Sequence, residues 1–214
     1  MSSTDQYAIA RDLAREVRAR YGLVTQRVMV GDLKKIYKQE GIDRVDYWDK
    51  FRSTRLKGAY FNDDYGKTVV INRRIIKQVE PKVFTLAHEL KHHLIDQVVG
   101  VSFCSDDNEK IQLERAADAF ASELIYPLAL FTRDMAERNI VQGSCTAADI
   151  VRLKHETQTT LSHSALALRA VRLSYCDASI LKTHWHKLRD NMYPEYVRFR
   201  KPSHVNLPAR RSTV

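Results

Sequence analysis

Two histidines and a glutamate near the middle of the chain have the spacing of a zinc-dependent hydrolase. His88, Glu89 and His92 form the pattern H-E-x-x-H, in which the histidines stand four residues apart. On an α-helix such residues lie on one face, so both imidazoles can bind a single Zn²⁺ ion. The glutamate projects beside them and can take a proton from a water molecule at the metal. The spacing therefore predicts a zinc site in which Glu89 is the general base.

A catalytic zinc site needs a third protein ligand, and Glu114 is the favoured candidate. Asp118 follows it by four residues and shares its helical face. Asp118 can accept the free ring N–H of a ligand histidine and so fix the tautomer of that histidine. The competing carboxylates belong to a polar loop, to a helix start or to another helical face: Asp106, Asp107, Glu109 and Glu123.

Apolar periodicity predicts a helix around each half of this site. Pro81–Asp96 carries the first half, and Pro81 suits the first turn of a helix because its missing N–H costs nothing there. The second helix includes Glu114 and ends at Tyr126-Pro127. Each helix has an apolar stripe at helical spacing: Val83, Ala87, Leu90 and Leu94 in the first, and Leu113, Ala117, Phe120 and Leu124 in the second. The alternative is a helix whose histidines are exposed or are satisfied within a core.

Taken together, the two motifs resemble those of the ImmA/IrrE-type metallopeptidases. The first is T-L-A-H-E-L-K-H, from Thr85 to His92, and the second is E-x-x-A-D-x-F-A-x-E-L-I-x-P, from Glu114 to Pro127. The resemblance implies a zincin-like peptidase that binds Zn²⁺. It also implies a protein substrate, a small helix-turn-helix repressor or antitoxin, whose cleavage switches on genes of a stress response or a mobile element.

Three positions depart from the pattern of that family. Lys91 replaces the usual glycine, Asp118 replaces the commoner asparagine, and Tyr126 replaces methionine. None of the three is a predicted ligand or the predicted base. We expect Lys91 to put a charge near the rim of the site. Tyr126 can reach the site and stabilise an oxyanion, and the alternative for it is a core aromatic beside Pro127.

Three short strands are predicted before the H-E-x-x-H helix, over Ile42–Trp48, Gly58–Asn62 and Lys67–Asn72. The sequence N-D-D-Y-G between the last two is a strong turn signal. We expect a small antiparallel sheet, since these strands are short and closely spaced. In zincin-type peptidases an edge strand can bind an extended substrate through backbone pairing. Gly58–Asn62 is the favoured edge strand.

The predicted fold class is α+β, mainly helical, with a zincin-like metallopeptidase domain over residues 1–140. Further amphipathic helices are expected over Thr4–Tyr21 and Val28–Glu40 in this domain, and over Pro127–Arg138 near its end. A helix-turn-helix-like module packed on the domain is predicted over residues 141–200. Its helices are Ala147–Thr157, capped by Thr146 and Asp149, and His163–Leu173. Packing or substrate docking is the favoured role of this module over DNA reading. Residues 201–214 are predicted to be a flexible basic tail.

The amino-acid composition limits the possible cellular compartment and binding partners of the protein. The three cysteines, Cys104, Cys145 and Cys176, are scattered and odd in number, which argues against a disulfide framework and for a reducing cytoplasm. No apolar run is long enough to span a bilayer and no signal peptide is visible, so we expect a cytoplasmic protein without membrane partners. The net charge is +9, with eight basic and two acidic residues from Lys182 to Val214. Such a patch can attract nucleic acid, although a solvated face is the commoner explanation.

The favoured hypothesis is a cytoplasmic zinc endopeptidase. Its rival is a non-proteolytic regulator or nucleic-acid-binding protein that uses the same scaffold with a structural or vestigial zinc. Glu89 favours the peptidase, because a structural zinc site has no need of a general base. The basic C-terminal segment favours the rival.

Overall fold

The computed structural model describes residues 3–51, 56–96 and 107–177. Its elements, in chain order, are α1 (Ser3–Arg20), α2 (Val30–Gln39), β1 (Arg44–Trp48), β2 (Gly58–Asp63), β3 (Gly66–Asn72), α3 (Val79–Lys91), α4 (Asp107–Ile125), α5 (Leu128–Glu137), α6 (Ala147–Thr157) and α7 (His163–Arg172). A π-helical turn, His92–Asp96, continues α3. The predicted fold class, mainly helical α+β with a small three-stranded sheet, is confirmed. Cys104, Asp106 and the basic segment from Lys182 to Val214 lie outside the described residues.

The sheet is mixed, and the prediction of a fully antiparallel sheet is wrong. The strand order is β1-β3-β2, with β2 antiparallel to β3 and β1 parallel to β3. The predicted turn joins β2 to β3, from Asp63 to Gly66. Along the chain, β2 runs opposite to β1, and β3 runs opposite to β2. Because β1 lies beside β3 instead of beside its sequence neighbour β2, the pair β1 and β3 is parallel. Residues 49–57 connect the two outer strands, which in a sheet of this order lie about 10 Å apart.

The middle strand is buried along most of its length. Each residue of β3 from Thr68 to Asn72 is buried, without the alternation of a half-exposed strand. Such a continuous run is typical of a strand covered on both faces. Among the described residues, β2 pairs with β3 alone and is an edge strand, as predicted, and β1 forms the opposite edge.

The helices of the two motifs pack together through their apolar faces. α4 contacts both α1 and α3. The predicted stripes are confirmed, since their central residues are fully buried: Val83, Ala87 and Leu90 in α3, and Ala117, Phe120 and Leu124 in α4. Small residues in α4, Ala116, Ala117 and Ala121, are buried as well and let neighbouring helices approach closely. α2 also contacts α3, where the Tyr37 hydroxyl donates a hydrogen bond to the carbonyl oxygen of Leu86.

The chain divides into two compact units. The first contains residues up to Arg133 together with Thr157–Ser162, and so includes the sheet and both motif helices. The second contains Asp134–Glu156 and the chain from His163 onward. In the second unit α6 begins with the predicted capping box: the Asp149 carboxylate accepts from the Thr146 N–H at 2.9 Å, and the Thr146 hydroxyl oxygen accepts from the Asp149 N–H at 3.2 Å. None of the helices in the described part of the chain has the length and apolar character needed to cross a bilayer.

Candidate metal centre

Two helices bring the three predicted metal ligands together. His88 lies in the last turn of α3 and His92 begins the π-helical turn, which places their Nε2 atoms 3.2 Å apart. Glu114 projects from the middle of α4. Its Oε2 lies 3.1 Å from His88 Nε2 and its Oε1 lies 3.6 Å from His92 Nε2. One donor atom from each residue lies within 4.8 Å of the other two, so the three form a cluster that can hold a metal ion.

The separations of these donors fit a tetrahedral zinc ion. Zinc binds imidazole nitrogen and carboxylate oxygen at about 2.0–2.1 Å, so two tetrahedral ligand atoms stand about 3.3 Å from each other. The two imidazole nitrogens lie 3.2 Å apart, and each lies near a different oxygen of Glu114, Oε2 at 3.1 Å from His88 and Oε1 at 3.6 Å from His92. Two histidines and one glutamate also make a donor set that zinc peptidases use. The donor set and its spacing therefore suit zinc.

Asp118 lies one helical turn beyond Glu114 and contacts the other side of the His88 ring. His88 Nδ1 donates a hydrogen bond to Asp118 Oδ1 at 3.0 Å, since an ionised carboxylate can only accept. This contact leaves His88 Nε2 as the atom that faces the cluster. Burial lowers the pKa of His88, but the hydrogen bonds to Asp118 and Glu114 outweigh burial and raise it to about 9. The hydrogen bond with His88 in turn lowers the pKa of Glu114.

Glu89 is buried beside the cluster and contacts the edge strand β2. The residue is only 6% exposed. Burial raises the pKa of its carboxyl, while the charges of His88 and His92 and a hydrogen bond from the backbone N–H of Tyr60 act in the opposite direction. The net shift is upward, which moves the carboxyl towards the range in which a general base is effective near neutral pH. The strand thus holds the carboxylate that the motif predicts as the base.

The side chain of Tyr60 joins the same strand to the π-helical turn. His93 Nε2 lies 2.9 Å from the carbonyl oxygen of Glu40, and a carbonyl can only accept, so Nε2 carries the proton. His93 Nδ1 is then the acceptor for the Tyr60 hydroxyl, at 3.1 Å. Burial lowers the pKa of His93, in agreement with a neutral ring, and burial raises the pKa of Tyr60 to about 12. Sequence reasoning assigned no role to Tyr60 or His93.

The first residue of β2 approaches α3 more closely than any side chain would allow. A Cβ atom on Gly58 would lie 2.5 Å from Thr85 Cγ2 and 3.1 Å from Glu89 Oε1. Glycine at this position therefore lets the backbone of the edge strand meet the helix at the residue predicted to be the base. A glycine that opens a predicted strand is the one sequence signal for this contact.

Comparison with known proteins agrees with this geometry. Residues 39–161 match the IrrE N-terminal-like domain, a family of peptidases. The chain belongs to this family. It therefore contains a metallopeptidase-like domain, and the resemblance inferred from the motifs is confirmed. No curated protein matches the chain. A solved structure described as a "Mycobacterium tuberculosis transcriptional regulator" matches with a TM-score of 0.49 and 15% identity over 78% of this chain, which spans 46% of that protein.

Two other predicted residues of this IrrE-like domain lie in the core. Glu123, a competing carboxylate, accepts hydrogen bonds from Arg15 Nε at 3.0 Å and from the Leu128 N–H at 3.1 Å, so its oxygens already have partners. Tyr126 is 0% exposed, and its ring packs edge-on against Phe131 at 5.6 Å. This position favours the core-aromatic alternative for Tyr126 over an oxyanion role.

Lys91, the departure from the family pattern within the first motif, is also buried. The residue is 2% exposed, so the expectation of a charge at an open rim is corrected to a charge inside the domain. Its position follows from helical geometry, because Lys91 stands one turn after the buried Ala87 and next to the buried Leu90. After the hydrogen bond with His88, the charge of Lys91 also contributes to the lowered pKa of Glu114.

Proposed function

We propose that this chain is a zinc endopeptidase in which His88, His92 and Glu114 bind the metal and Glu89 is the general base. The observation that carries the proposal is the convergence of the three donors within 4.8 Å, beside a buried Glu89 whose pKa is raised. Membership of a peptidase family supports the same chemistry. A structural zinc site would not require a buried carboxylate at this position.

The residues around the cluster have separate tasks in this mechanism. Zinc, when bound, acts as a Lewis acid that polarises a carbonyl and lowers the pKa of water. Glu89 takes a proton from the attacking water and then gives it to the nitrogen of the departing amine. The backbone N–H of Tyr60 fixes the Glu89 carboxylate for both transfers. Asp118 holds the His88 ring so that Nε2 stays directed at the metal position.

We infer that the substrate binds as an extended segment along β2. Within the described residues this strand is an edge of the sheet; the Tyr60 N–H bonds to Glu89, and Gly58 lies close beside the same carboxylate. A peptide that pairs with such an edge places successive backbone amides along it at fixed intervals, independent of their side chains. The strand that orients the base would therefore also position the scissile bond. This arrangement suits an enzyme that cuts an exposed, unfolded segment of its target.

The family resemblance supplies the proposed target, a small helix-turn-helix repressor or antitoxin. Cleavage of such a protein in the cytoplasm would derepress stress-response or mobile-element genes. The second compact unit, with α6 and α7, is proposed to dock this target, because the two helices are joined by a short segment in the manner of a helix-turn-helix.

A trapping experiment tests both the chemistry and the target. Glu89→Gln removes the base but no predicted ligand, so it should keep zinc and bind substrate without cutting it. Glu16→Gln is the matched control, since it makes the same chemical change at an exposed glutamate of α1. Each tagged protein is expressed in the source cell, its zinc content is measured, and the proteins that co-purify are identified by mass spectrometry.

The expected result is a small repressor that is retained by Glu89→Gln and is shortened by the wild type and by Glu16→Gln. A Glu89→Gln protein that still cuts this partner at the wild-type rate would refute the role of Glu89. A partner that every variant holds and none cuts, with zinc present, would overturn the peptidase and leave a binding protein. Loss of zinc on Glu89→Gln would show that Glu89 is a ligand instead of the base.

A further inference from the structure

Two cysteines that are far apart in the sequence lie together in the second unit. Cys145 precedes α6 and Cys176 follows α7. The backbone holds these segments side by side: the Cys145 N–H donates to the Tyr175 carbonyl at 2.9 Å, and the Gly143 N–H donates to the Ser174 carbonyl at 3.0 Å. Cys145 is thus paired with the residue next to Cys176. These cysteines are scattered in the sequence, and their proximity depends on the fold.

The end of α7 explains how Cys176 reaches this position. Ser174 has a φ of 59°, a left-handed conformation that ends a helix and reverses the chain. The Tyr175 N–H bonds back to the Ala170 carbonyl at 2.9 Å, which closes the last turn of the helix. The chain then passes directly beside Cys145. A left-handed conformation is uncommon for serine, so the turn is held by its surroundings.

The two thiols face each other inside the unit. The side chains of Cys145 and Cys176 lie within hydrogen-bonding reach of each other. The single proton of the Cys145 thiol has either the Cys176 sulfur or the Thr146 carbonyl oxygen, 3.6 Å from Cys145 Sγ, as its acceptor. Cys145 is 2% exposed and Cys176 is 6% exposed, so the pair is shielded from bulky reagents and Cys176 is the less deeply buried of the two. Both cysteines are free thiols in this structure.

We propose that Cys145 and Cys176 are a redox modification site, which a small hydroperoxide converts to an intramolecular disulfide and a dithiol reductant restores. The proposal stands on the paired backbones and on the thiol–thiol contact, which bring the sulfurs together before any oxidant arrives. It does not depend on the proposed peptidase activity. A reducing cytoplasm keeps such a pair as thiols, so the disulfide would form only when hydroperoxide is present.

The chemistry of the step balances with one hydroperoxide. The Cys176 thiolate attacks the O–O bond, which gives a sulfenic acid at Cys176 and releases an alcohol, or water from hydrogen peroxide. The Cys145 thiol then attacks that sulfur, the S–S bond forms, and the sulfenic oxygen leaves as water. Two electrons pass from the thiols to the O–O bond. The hydrogen bond from Cys145 lowers the pKa of Cys176 and raises that of Cys145, so Cys176 is the attacking thiolate and Cys145 the resolving thiol.

The disulfide would close a loop that contains both α6 and α7. Closing a loop of some thirty residues stabilises a native state mainly by restricting the unfolded chain. For a protein of this size we expect the midpoint of thermal unfolding to rise by about 5–10 °C on oxidation and to fall back after reduction. A disulfide between cysteines that meet only by chance in an unfolded chain would give no such reversible increase.

The test uses the purified full chain and hydrogen peroxide in slight molar excess. Free thiols are then blocked, and the intact mass and the disulfide-linked peptides are measured, alongside thermal unfolding before and after reduction. Cys104→Ser is the matched control, since it removes the remaining cysteine of the chain and leaves the pair. Cys176→Ser removes the attacking thiolate. Cys145→Ser removes the resolving thiol, so a sulfenic acid at Cys176 should persist and be captured by dimedone.

The expected result is a Cys145–Cys176 linkage in the wild type and in Cys104→Ser, with the reversible rise in unfolding midpoint. The proposal is overturned if the folded wild type forms no such linkage while the same protein, unfolded in urea and equally treated, does. It is also overturned if Cys104 takes part in the dominant disulfide, or if the linkage forms without a change in the unfolding midpoint.

Discussion

The contact between β2 and α3 can be tested by adding one methyl group. In Gly58→Ala the new Cβ would lie 2.5 Å from Thr85 Cγ2, 3.1 Å from Glu89 Oε1 and 3.2 Å from the Val70 carbonyl oxygen. Two carbon atoms normally stand about 3.5–4.0 Å apart, so the first distance is at least about 1 Å too short. Thr85 and Glu89 are both buried, and the Val70 oxygen belongs to the backbone of the central strand. The substituted strand must therefore move away from the helix.

The expected cost follows from the rigidity of these neighbours. Extra methyl groups in a packed core cost about 1–3 kcal/mol, and the Val70 carbonyl, which belongs to the backbone and cannot rotate away, places the cost near the upper end. We expect Gly58→Ala to lower the free energy of unfolding by about 2–3 kcal/mol and the thermal midpoint by about 5–10 °C. The measurement is urea unfolding followed by circular dichroism.

A second substitution separates this clash from a general loss of stability. Thr85→Ser removes Cγ2, the atom nearest to the new methyl group, and by itself should cost about 0.5–1.5 kcal/mol. If the clash is the cause, the double variant should lose less free energy of unfolding than the two single variants lose together, by at least about 1 kcal/mol. The close contact with Glu89 persists in the double variant, so peptidase activity should stay low after stability recovers. Strictly additive effects, or a Gly58→Ala protein of wild-type stability, would refute the reasoning.

Three further predictions concern the other contacts of the two units. Asp118→Ala should weaken zinc binding about 10–100-fold in a chelator competition, whereas Asp118→Asn keeps an acceptor for His88 and should retain most of the affinity; equal losses would contradict this. Burial raises the pKa of Tyr37 in the folded protein above its value of about 10 in the unfolded chain. The contribution of the neutral phenol to stability is therefore complete below pH 10 and is lost as the pH rises through the pKa of the folded protein. Tyr37→Phe removes the hydrogen bond to the Leu86 carbonyl, so it should lower the free energy of unfolding by about 1 kcal/mol at pH 8, measured by urea unfolding. Above pH 10 the free energy of unfolding should fall less steeply in the variant than in the wild type, by up to about 1.4 kcal/mol per pH unit. Equal slopes in the two proteins would contradict this. Thr146→Ala should lower the free energy of unfolding of the second unit by about 1 kcal/mol, because it removes the capping box. Thr132→Ala makes the same chemical change inside a helix, where no cap is lost, and is the comparison.

Local signals predicted the helices well. Apolar periodicity depends on residues three and four apart, so it located α3 and α4 and gave α6 the bounds that the structure shows. The spacing of the candidate ligands within each motif is equally local, and the structure places His88, His92 and Glu114 close enough to share a metal ion. Capping residues carry a direct chemical reason, as Thr146 and Asp149 illustrate.

Contacts between distant segments were beyond the reach of such signals. The parallel pairing of β1 with β3 depends on which strand enters the sheet beside which, and the composition of the strands does not encode that choice. The Tyr60 hydroxyl contacts His93, and His93 also contacts the carbonyl oxygen of Glu40, and both contacts join segments that are far apart in the chain. Cys145 and Cys176 meet because α7 reverses at Ser174, and serine gave no sequence signal for a left-handed turn.

The polar residues of α3 contact different neighbouring elements, so substitutions in those elements should have different effects. The two histidines proposed as ligands contact Glu114 of α4, whereas Glu89 lies against the edge strand β2. The apolar side of the helix is fully buried. A change in β2 should therefore disturb the base and the substrate without removing zinc, while a change in α4 should remove zinc and leave the Tyr60–Glu89 contact in place. Variants of β2 should therefore lose cleavage at full zinc content, whereas variants of α4 that remove Glu114 should lose zinc and cleavage together.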